Sequence, residues 1–251
     1  MSTKILPSWA KDVLGVYNIS SPGPYKYWYD FIRQKLASIP GDLMEIGVFK
    51  GRTFSATCSL VQELYPDRTV YGFDSFAGFP DLNHPFDQLQ RFDFLYENSS
   101  ISKEHYLNHK LNLELINLLG RSSSLGKIST SSDFSATSED FVRNKLEYLG
   151  VNNYKLIVGD VKETVYSADL PSCISAIFLD ADLYEPYHHT LTSCWPKLSQ
   201  GGIIFLDEYY SLKFPGPRFA VNEFLLLNPD ASLVCIEAPI DTFERWIIVK
   251  A

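Results

Sequence analysis

Acidic residues follow two apolar segments in the second half of the chain. Asp180 and Asp182 come after one segment, and Asp207 and Glu208 after the next. Both segments are typical of buried parallel strands, whose carboxyl ends meet at one edge of a sheet, so we expect the four carboxylates to converge. A hard cation with oxygen ligands, such as Mg²⁺, relieves their repulsion. Helix N-capping is the alternative, but it explains one acidic residue after each strand rather than two.

A second group of residues surrounds a glycine turn. Glu45 and Gly47 end an apolar segment, Gly51 opens a helical one, and Asp74 ends the next apolar segment. Gly47 permits a sharp turn and close approach of a ligand, and Gly51 relieves crowding where the helix starts. The spacing Glu-x-Gly-x-x-x-Gly differs from the Gly-x-Gly-x-x-Gly of dinucleotide enzymes. It suits a nucleoside ligand with an amino-acid tail, whose ammonium would meet Glu45 and whose ribose would meet Asp74.

The elements that must position these residues alternate along the chain. Apolar runs predict seven strands, at residues 42–47, 69–74, 154–158, 174–179, 202–206, 232–236 and 245–249. Helical patterns are found at residues 24–36, 52–64, 105–119, 139–149, 187–198 and 219–227. Alternating strands and helices predict an α/β fold with a doubly wound, mostly parallel sheet and helices on both faces. The last two strands have no helix between them and predict a C-terminal antiparallel hairpin.

The length of 251 residues suits a single domain over residues 1–251. Within it, residues 1–40 form an N-terminal helical segment and residues 81–138 an insertion. A loop of that length is usually functional or disordered. Its position after the second strand predicts a lid over the carboxyl edge of the sheet, in which His84 or His105 would touch an acceptor. Disorder of its serine-rich part is the equal alternative.

Composition excludes several classes of function. The net charge is −8 and there is no dense run of Lys or Arg, which disfavours nucleic acid as a substrate. The chain shows neither a signal sequence nor an apolar stretch long enough to cross a membrane, so we expect a cytoplasmic protein. The four cysteines lack metal-site spacing. Aromatic residues are frequent in the N-terminal third, which fits a lined pocket, plain core packing or a homodimer contact.

Four segments of the chain resemble the macrocin O-methyltransferase family, which belongs to the class I, Rossmann-like methyltransferases. They are Gly72–Pro80, Leu179–Tyr184, Leu198–Tyr209 and Gly216–Val221. The resemblance implies S-adenosylmethionine as cofactor, Mg²⁺ or another divalent cation, and a sugar hydroxyl as acceptor. It also implies that Asp180, Asp207 and Glu208 hold the metal and that Asp182 is the general base. The family usually has a second Asp at the position of Glu208, where glutamate keeps the charge but reaches further.

Further cofactor contacts also follow from this resemblance. It implies that Ser75 and Asp180 touch S-adenosylmethionine, beside the Glu45, Gly47, Gly51 and Asp74 group described above. Asp160 follows the third predicted strand and has a place beside the adenine, although it would equally serve as the N-cap of the next helix.

The predicted function is therefore S-adenosylmethionine- and Mg²⁺-dependent methylation of a hydroxyl on a small molecule, most simply a sugar of a glycosylated natural product. Two neighbouring hydroxyls also occur in catechols, so a catechol-type O-methyltransferase is an alternative. A non-catalytic S-adenosylmethionine-binding protein of the same fold is another, because Glu208 departs from the family pattern. A nicotinamide-dependent dehydrogenase is disfavoured by the glycine spacing and the paired acidic residues.

Overall fold

The computed structural model describes residues 3–21, 23–79, 84–120, 133–236 and 243–251. The helices are α1 (Ser8–Leu14), α2 (Lys26–Gln34), α3 (Arg52–Leu64), α4 (Arg91–Glu97), α5 (Lys103–Leu118), α6 (Glu139–Leu149), α7 (Val161–Thr164), α8 (Tyr184–Cys194) and α9 (Gly216–Leu227). The strands are β1 (Asp42–Ile46), β2 (Val70–Asp74), β3 (Tyr154–Val158), β4 (Ile174–Leu179), β5 (Leu198–Leu206), β6 (Ala231–Ile236) and β7 (Arg245–Lys250).

The strands form one seven-stranded sheet in the order β3-β2-β1-β4-β5-β7-β6. The first five are parallel to one another, whereas β7 is antiparallel to both β5 and β6. The predicted doubly wound sheet and its C-terminal antiparallel hairpin are therefore confirmed. The strand order reverses between β1 and β4, and ligands of such sheets bind at the carboxyl ends of the strands at this point.

Each face of the sheet is covered by its own set of helices. Alternate residues of β1 point to opposite faces: Leu43 packs with residues of α2, α3 and α6, and Met44 with residues of α8 and α9. The central strand β4 is buried along its whole length. Burial on both faces explains why the strands read as continuous apolar runs rather than as alternating ones.

The helix boundaries differ from the sequence prediction where proline or short polar segments intervene. The helix predicted over 187–198 spans Tyr184–Cys194, and the chain then forms a short 3₁₀ turn containing Pro196 before β5 begins. Proline lacks the N–H that a continuing helix needs. The short helices α1, α4 and α7 were not predicted, because seven residues or fewer give little periodic signal.

The N-terminal aromatic residues belong to the core of the protein. Trp28 and Tyr29 of α2 are fully buried, and the Trp28 indole donates a hydrogen bond of 3.0 Å to the Thr57 hydroxyl on α3. Tyr25 packs edge-on against Phe178 of β4. Trp28 and Tyr29 therefore serve in core packing, one of the three interpretations of the aromatic residues given above.

The described part of the insertion consists of a 3₁₀ turn at Pro85–Asp87 and the helices α4 and α5. Its two ends meet where the Phe79 amide donates to the Asp133 carbonyl, at 3.0 Å. The serine-rich run lies outside the described residues. Within the described residues, no helix combines the length and the apolar character that crossing a bilayer requires.

Candidate active site

A cavity of about 360 Å³ opens at the point where the strand order reverses. Its floor consists of the turn after β1, the end of β2 and the loop after β4, and residues of the insertion close its other side. The sequence-predicted residues in its lining are Gly47, Asp74, Ser75, Asp160, Asp180 and Asp182. The fold therefore brings together residues that lie more than 100 positions apart in the chain.

The turn after β1 depends on Gly47, which has a φ of +89°. A Cβ atom at this position would lie 1.7 Å from the carbonyl oxygen of Asp180 on the neighbouring strand. No side chain fits there without movement of the backbone. The glycine thus keeps β1 and β4 in contact and leaves the backbone open to the cavity.

Asp74 ends β2 and organises the cavity wall with both carboxylate oxygens. One oxygen accepts a hydrogen bond from the Phe49 amide and the other from the Phe76 amide, each at 2.7 Å. Each oxygen has a further lone pair for a ligand hydroxyl. The next residue, Ser75, donates its hydroxyl to the Gly78 carbonyl at 3.0 Å. Ribose recognition by Asp74 and Ser75 is compatible with these contacts and stays a prediction.

Asp160 lines the cavity at the end of β3, next to Asp74, and also caps a helix. Its carboxylate accepts a hydrogen bond from the Lys162 amide at 3.0 Å, which makes it the N-cap of α7. The same side chain can therefore cap α7 and lie beside a ligand, so the two roles considered for Asp160 do not exclude each other.

Glu45 and Gly51 lie behind the turn and do not line the cavity. Glu45 is fully buried and accepts a hydrogen bond of 2.6 Å from the Thr53 hydroxyl, while its second oxygen has no partner. Burial raises the pKa of its carboxyl to about 8. Gly51 has a φ of +66° and faces Val142 of α6. Ligand contacts from these two residues stay predictions.

The acidic centre, which we define as Asp180, Asp207 and Glu208, lies at the ends of β4 and β5. One carboxylate oxygen from each of the three residues lies within 4.8 Å of the others. Asp180 and Asp207 are half-buried, and Glu208 is buried. Three convergent carboxylate oxygens are a donor set that a divalent cation with oxygen ligands accepts, so the residues fit Mg²⁺.

The electrostatics of the acidic centre also favour a cation. Burial, followed by repulsion from Asp207, raises the pKa of Asp180 well above its ordinary value. The pKa of Glu208 is raised by burial and by both neighbouring aspartates. Carboxyl groups that lie close together repel one another and resist ionisation. A bound cation reverses that effect.

Glu208 is held in place by a tyrosine that sequence reasoning missed. The Tyr187 hydroxyl on α8 lies 2.7 Å from a Glu208 carboxylate oxygen and accepts a hydrogen bond from the Glu208 amide at 3.1 Å. Tyr187 is fully buried, so this contact is shielded from solvent. Tyr187, which lies 21 residues away in the chain, thus holds the long Glu208 side chain in one position. The sequence alone does not reveal this contact.

Asp182 stands beside the acidic centre in an unusual backbone conformation. Its φ is +60°, a region that non-glycine residues seldom occupy and that is typical of functional turns. Its amide lies 3.4 Å from a Glu208 carboxylate oxygen. Burial and repulsion from Asp207 raise the pKa of Asp182 to about 8, whereas Lys213 opposes this shift. The side chain lines the cavity, where an acceptor must lie.

The insertion contributes side chains to the cavity that were not predicted as site residues. Asp87, Phe134 and His84 of the insertion line it, together with Phe79 just before the insertion. Asp87 is buried and accepts a hydrogen bond of 2.8 Å from the Tyr184 amide, the first residue of α8. The insertion therefore caps the helix that follows Asp182. The signal in the sequence was the polar and aromatic start of the insertion, but its docking position was not visible there.

Two buried histidines of α5 hold the loop after β5. A ring nitrogen of His105 lies 2.7 Å from the Ser211 carbonyl, and one of His109 lies 2.8 Å from the Leu212 carbonyl. Burial lowers the pKa of His105 to about 4, so the neutral ring is the form that donates. His105 does not line the cavity, in contrast to His84. Its contact is with the loop that carries Asp207 and Glu208 into α9.

Comparison with known proteins places the chain among relatives of similar architecture. Residues 44–209, more than half of the chain, match the family model described as Methyltransferase domain. Demethyldecarbamoylnovobiocin O-methyltransferase from Streptomyces niveus is 27% identical over 194 residues, which are 74% of this chain and 59% of that protein.

A second relative has a named sugar group in its substrate. This relative, 8-demethyl-8-(2,3-dimethoxy-alpha-L-rhamnosyl)-tetracenomycin-C 4'-O-methyltransferase from Streptomyces olivaceus, is 27% identical over 173 residues, 68% of this chain and 54% of that protein. The matches thus span less than two thirds of either relative. The solved structure of the O-methyltransferase NovP superposes with a TM-score of 0.60 at 25% identity, over 88% of this chain and 79% of that one.

Proposed function

The chain belongs to the methyltransferase domain family, and we propose that it methylates a hydroxyl of a small molecule with S-adenosylmethionine and the help of a divalent cation. The acceptor that we propose is a sugar of a glycosylated natural product. The observation that carries this proposal is the acidic centre at the edge of the cavity, with Asp182 beside it.

The cavity suits S-adenosylmethionine in shape and in the groups that it offers. A turn at Gly47 with no room for a side chain lets the amino-acid tail approach the backbone. Asp74 lines the cavity at the end of β2, where its two oxygens can accept hydrogen bonds from ribose hydroxyls, and Asp160 lines it at the end of the neighbouring strand β3. The spacing of Gly47 and Gly51 differs from the Gly-x-Gly-x-x-Gly of dinucleotide sites and argues against a pyrophosphate ligand.

The acidic centre would hold the cation through Asp180, Asp207 and Glu208. When bound, Mg²⁺ supplies positive charge that lowers the pKa of an acceptor hydroxyl nearby. S-adenosylmethionine supplies a methyl group, whose bond to sulfur breaks as the bond to the acceptor oxygen forms. The protein's contribution is to bring these groups into line, since positioning accounts for much of the rate of such a transfer.

Asp182 would accept the proton of the attacked hydroxyl. Burial raises the pKa of Asp182, which makes it a stronger base than an exposed aspartate once it is ionised. The strained turn at Asp182, the capping contact of Asp87 on α8 and the amide contact with Glu208 fix the direction of its side chain. The residues of the insertion exclude water from this end of the cavity.

Sugars are preferred over catechols as acceptors for two reasons. The sequence segments that resemble the macrocin O-methyltransferase family include both acidic pairs, and a rhamnosyl group appears in the substrate name of one relative. Both relatives reported above are O-methyltransferases by name. Two neighbouring hydroxyls of either acceptor would suit the acidic centre, so the choice rests on these similarities.

The test is transfer of label from methyl-labelled S-adenosylmethionine to a panel of glycosides and catechols in the presence of Mg²⁺. We expect label in an O-methyl group of a glycoside, and transfer at least about 100-fold slower with the Asp182→Asn variant. Label only in catechols would overturn the sugar assignment. Tight binding of S-adenosylmethionine without transfer to any acceptor would favour the non-catalytic alternative.

A further inference from the structure

Helix α5 of the insertion has an exposed face made of leucines. The leucine ridge, which we define as Leu107, Leu111, Leu115 and Leu119, repeats at every fourth position, and its members are 53%, 51%, 48% and 59% exposed. Leu118 beside it is 79% exposed. Residues four apart lie on the same side of a helix, so these side chains form one continuous apolar surface. Contiguous exposed apolar surface of this kind marks an interaction site.

The opposite face of α5 is fixed to the protein. His105 and His109 are buried and contact the Ser211 and Leu212 carbonyls, and His109 stacks on Phe92 at 3.8 Å. These histidines precede Leu107 and Leu111 by two positions, or about 200° around the helix. The helix is therefore held by one face while it presents the other. The leucine ridge is a preformed surface that needs no folding step to bind a partner.

An aromatic residue of α4 widens this surface. Tyr96 is exposed and stacks on Tyr106 of α5 at 4.6 Å. Apolar area thus continues from α5 on to the neighbouring helix.

We propose that the leucine ridge is the contact between two copies of this chain, with their α5 helices antiparallel. A two-fold axis beside Leu113 places Leu111 opposite Leu115 of the second copy and Leu107 opposite Leu119. Every leucine of the ridge then meets a leucine, which is the self-complementarity that a two-fold interface requires. Ridges formed by residues four apart interlock in this way in the commonest class of helix packing.

The charges beside the ridge select the antiparallel direction. Lys110 and Glu114 are exposed on the same flank of α5, four residues apart, and Lys110 is oriented by an ion pair of 2.8 Å with Asp93. In an antiparallel pair this flank of one helix faces the same flank of the other helix. Lys110 of each copy then lies beside Glu114 of the other copy, which gives two symmetry-related ion pairs. In a parallel pair it would face the opposite flank, which holds the uncharged Asn108 and Asn112.

The size of the surface predicts a weak dimer. The ridge extends about 18 Å along the helix at 1.5 Å per residue. A contact of two such helices, widened by Tyr96, is at the small end of specific interfaces. We therefore expect association in the micromolar range of dissociation constants.

Sedimentation equilibrium of the full chain over a range of concentrations tests the proposal. We expect a reversible monomer–dimer equilibrium, and the paired substitution Leu111→Glu with Leu115→Glu should raise the dissociation constant at least about 100-fold. Leu226→Glu is the matched control, since Leu226 is an exposed helical leucine of α9, and it should leave the equilibrium unchanged. A wild-type monomer at all concentrations, or a dimer indifferent to the paired substitution, would overturn the proposal.

A charge reversal tests the direction and does not remove any leucine. Glu114→Lys should weaken the dimer because it places a second ammonium group opposite Lys110 of the other copy, and addition of Lys110→Glu should restore it. Circular dichroism of each variant establishes that the fold is kept. A dimer that is unaffected by Glu114→Lys would contradict the antiparallel arrangement.

Discussion

The two sides of the cavity are built from the chain in different ways. The cofactor side consists of the turn after β1 and the end of β2, where Gly47, Asp74 and Ser75 lie within 29 residues of one another. The acceptor side combines Asp182, the acidic centre and Asp87, which come from the ends of β4 and β5 and from the insertion. The first is specified by short local segments, whereas the second exists only when distant segments have docked. Substitutions on the two sides should therefore have separable effects.

Gly47 is the point where both sides meet. A Cβ atom there would lie 1.7 Å from the Asp180 carbonyl oxygen, so Gly47→Ala must move the backbone of β1 or β4. We expect loss of binding of both S-adenosylmethionine and cation, with a free energy of unfolding lower by about 4 kcal/mol or more. Isothermal titration and urea unfolding measure these effects.

The control for this substitution is Gly120→Ala. Gly120 also has a positive φ, of +63°, but its Cβ would meet no atom of the described residues within 4 Å. The free energy of unfolding of this variant should be lower by only roughly 1–2 kcal/mol, the cost of a left-handed backbone at a non-glycine residue. The variant should still bind S-adenosylmethionine and the cation. Equal effects of the two variants would show that contact between β1 and β4 does not explain the role of Gly47.

On the acceptor side, substitutions should distinguish the general base, Asp182, from the cation ligand, Asp180. Asp182→Asn should lower kcat by a factor on the order of 10² to 10⁴ and keep the affinities for cation and S-adenosylmethionine, since a general base acts on the proton. Asp180→Asn should lose the cation first. Steady-state rates combined with cation titration measure both. If Asp182→Asn loses the cation and has a normal rate at saturation, the two roles are reversed.

Removal of the hydroxyl that holds Glu208 should weaken the acceptor side only. Tyr187→Phe keeps the buried ring but loses the 2.7 Å contact with the Glu208 carboxylate. Cation affinity should fall about 10- to 100-fold, as is typical when a partner of a metal ligand is lost, and S-adenosylmethionine affinity should not change. Tyr209→Phe is the control, because its hydroxyl donates to Asn222 rather than to Glu208. A matching loss of cation affinity in that control would assign the effect to general loosening of the loop.

The smallest effect concerns the docking of the insertion and depends on pH. His105 has its pKa lowered to about 4 by burial, whereas an unfolded histidine has a pKa of about 6.5. Between these values the unfolded chain binds a proton that the folded chain does not, so this residue's contribution to stability falls as the pH falls. The difference in unfolding free energy between wild type and His105→Gln should therefore shrink from pH 7 to pH 5. A difference that is independent of pH would contradict the burial of a neutral ring.

Features that depend on local segments could be predicted from the sequence, whereas features that depend on docking of distant segments could not. All seven strands were predicted within a few residues, because strands buried on both faces are continuous apolar runs. The convergence of Asp180 with Asp207 followed from the parallel order of β4 and β5, since neighbouring strand ends meet at one edge. Local pattern and topology were sufficient for these features.

The missed residues depend on docking between distant segments. Asp87 reaches the first amide of α8 across 97 positions, and Tyr187 reaches Glu208 from a different element. The hydrogen bond that Glu45 accepts from Thr53 of α3 was not predicted either, and the ligand contact expected of Glu45 stays a prediction. No periodicity in a single sequence encodes such contacts. They decide how the acceptor side is shaped.

Cation binding to the acidic centre tests the central claim most directly. Mn²⁺ replaces Mg²⁺ at oxygen sites and is detected by electron paramagnetic resonance. We expect one Mn²⁺ per chain, displaced by Mg²⁺, and at least about tenfold weaker binding in Asp207→Asn, whose neutral amide is a poorer ligand than a carboxylate. Wild-type protein that binds no Mn²⁺ with S-adenosylmethionine present, or an Asp207→Asn variant that binds it equally well, would contradict a metal-assisted methyl transfer at this site.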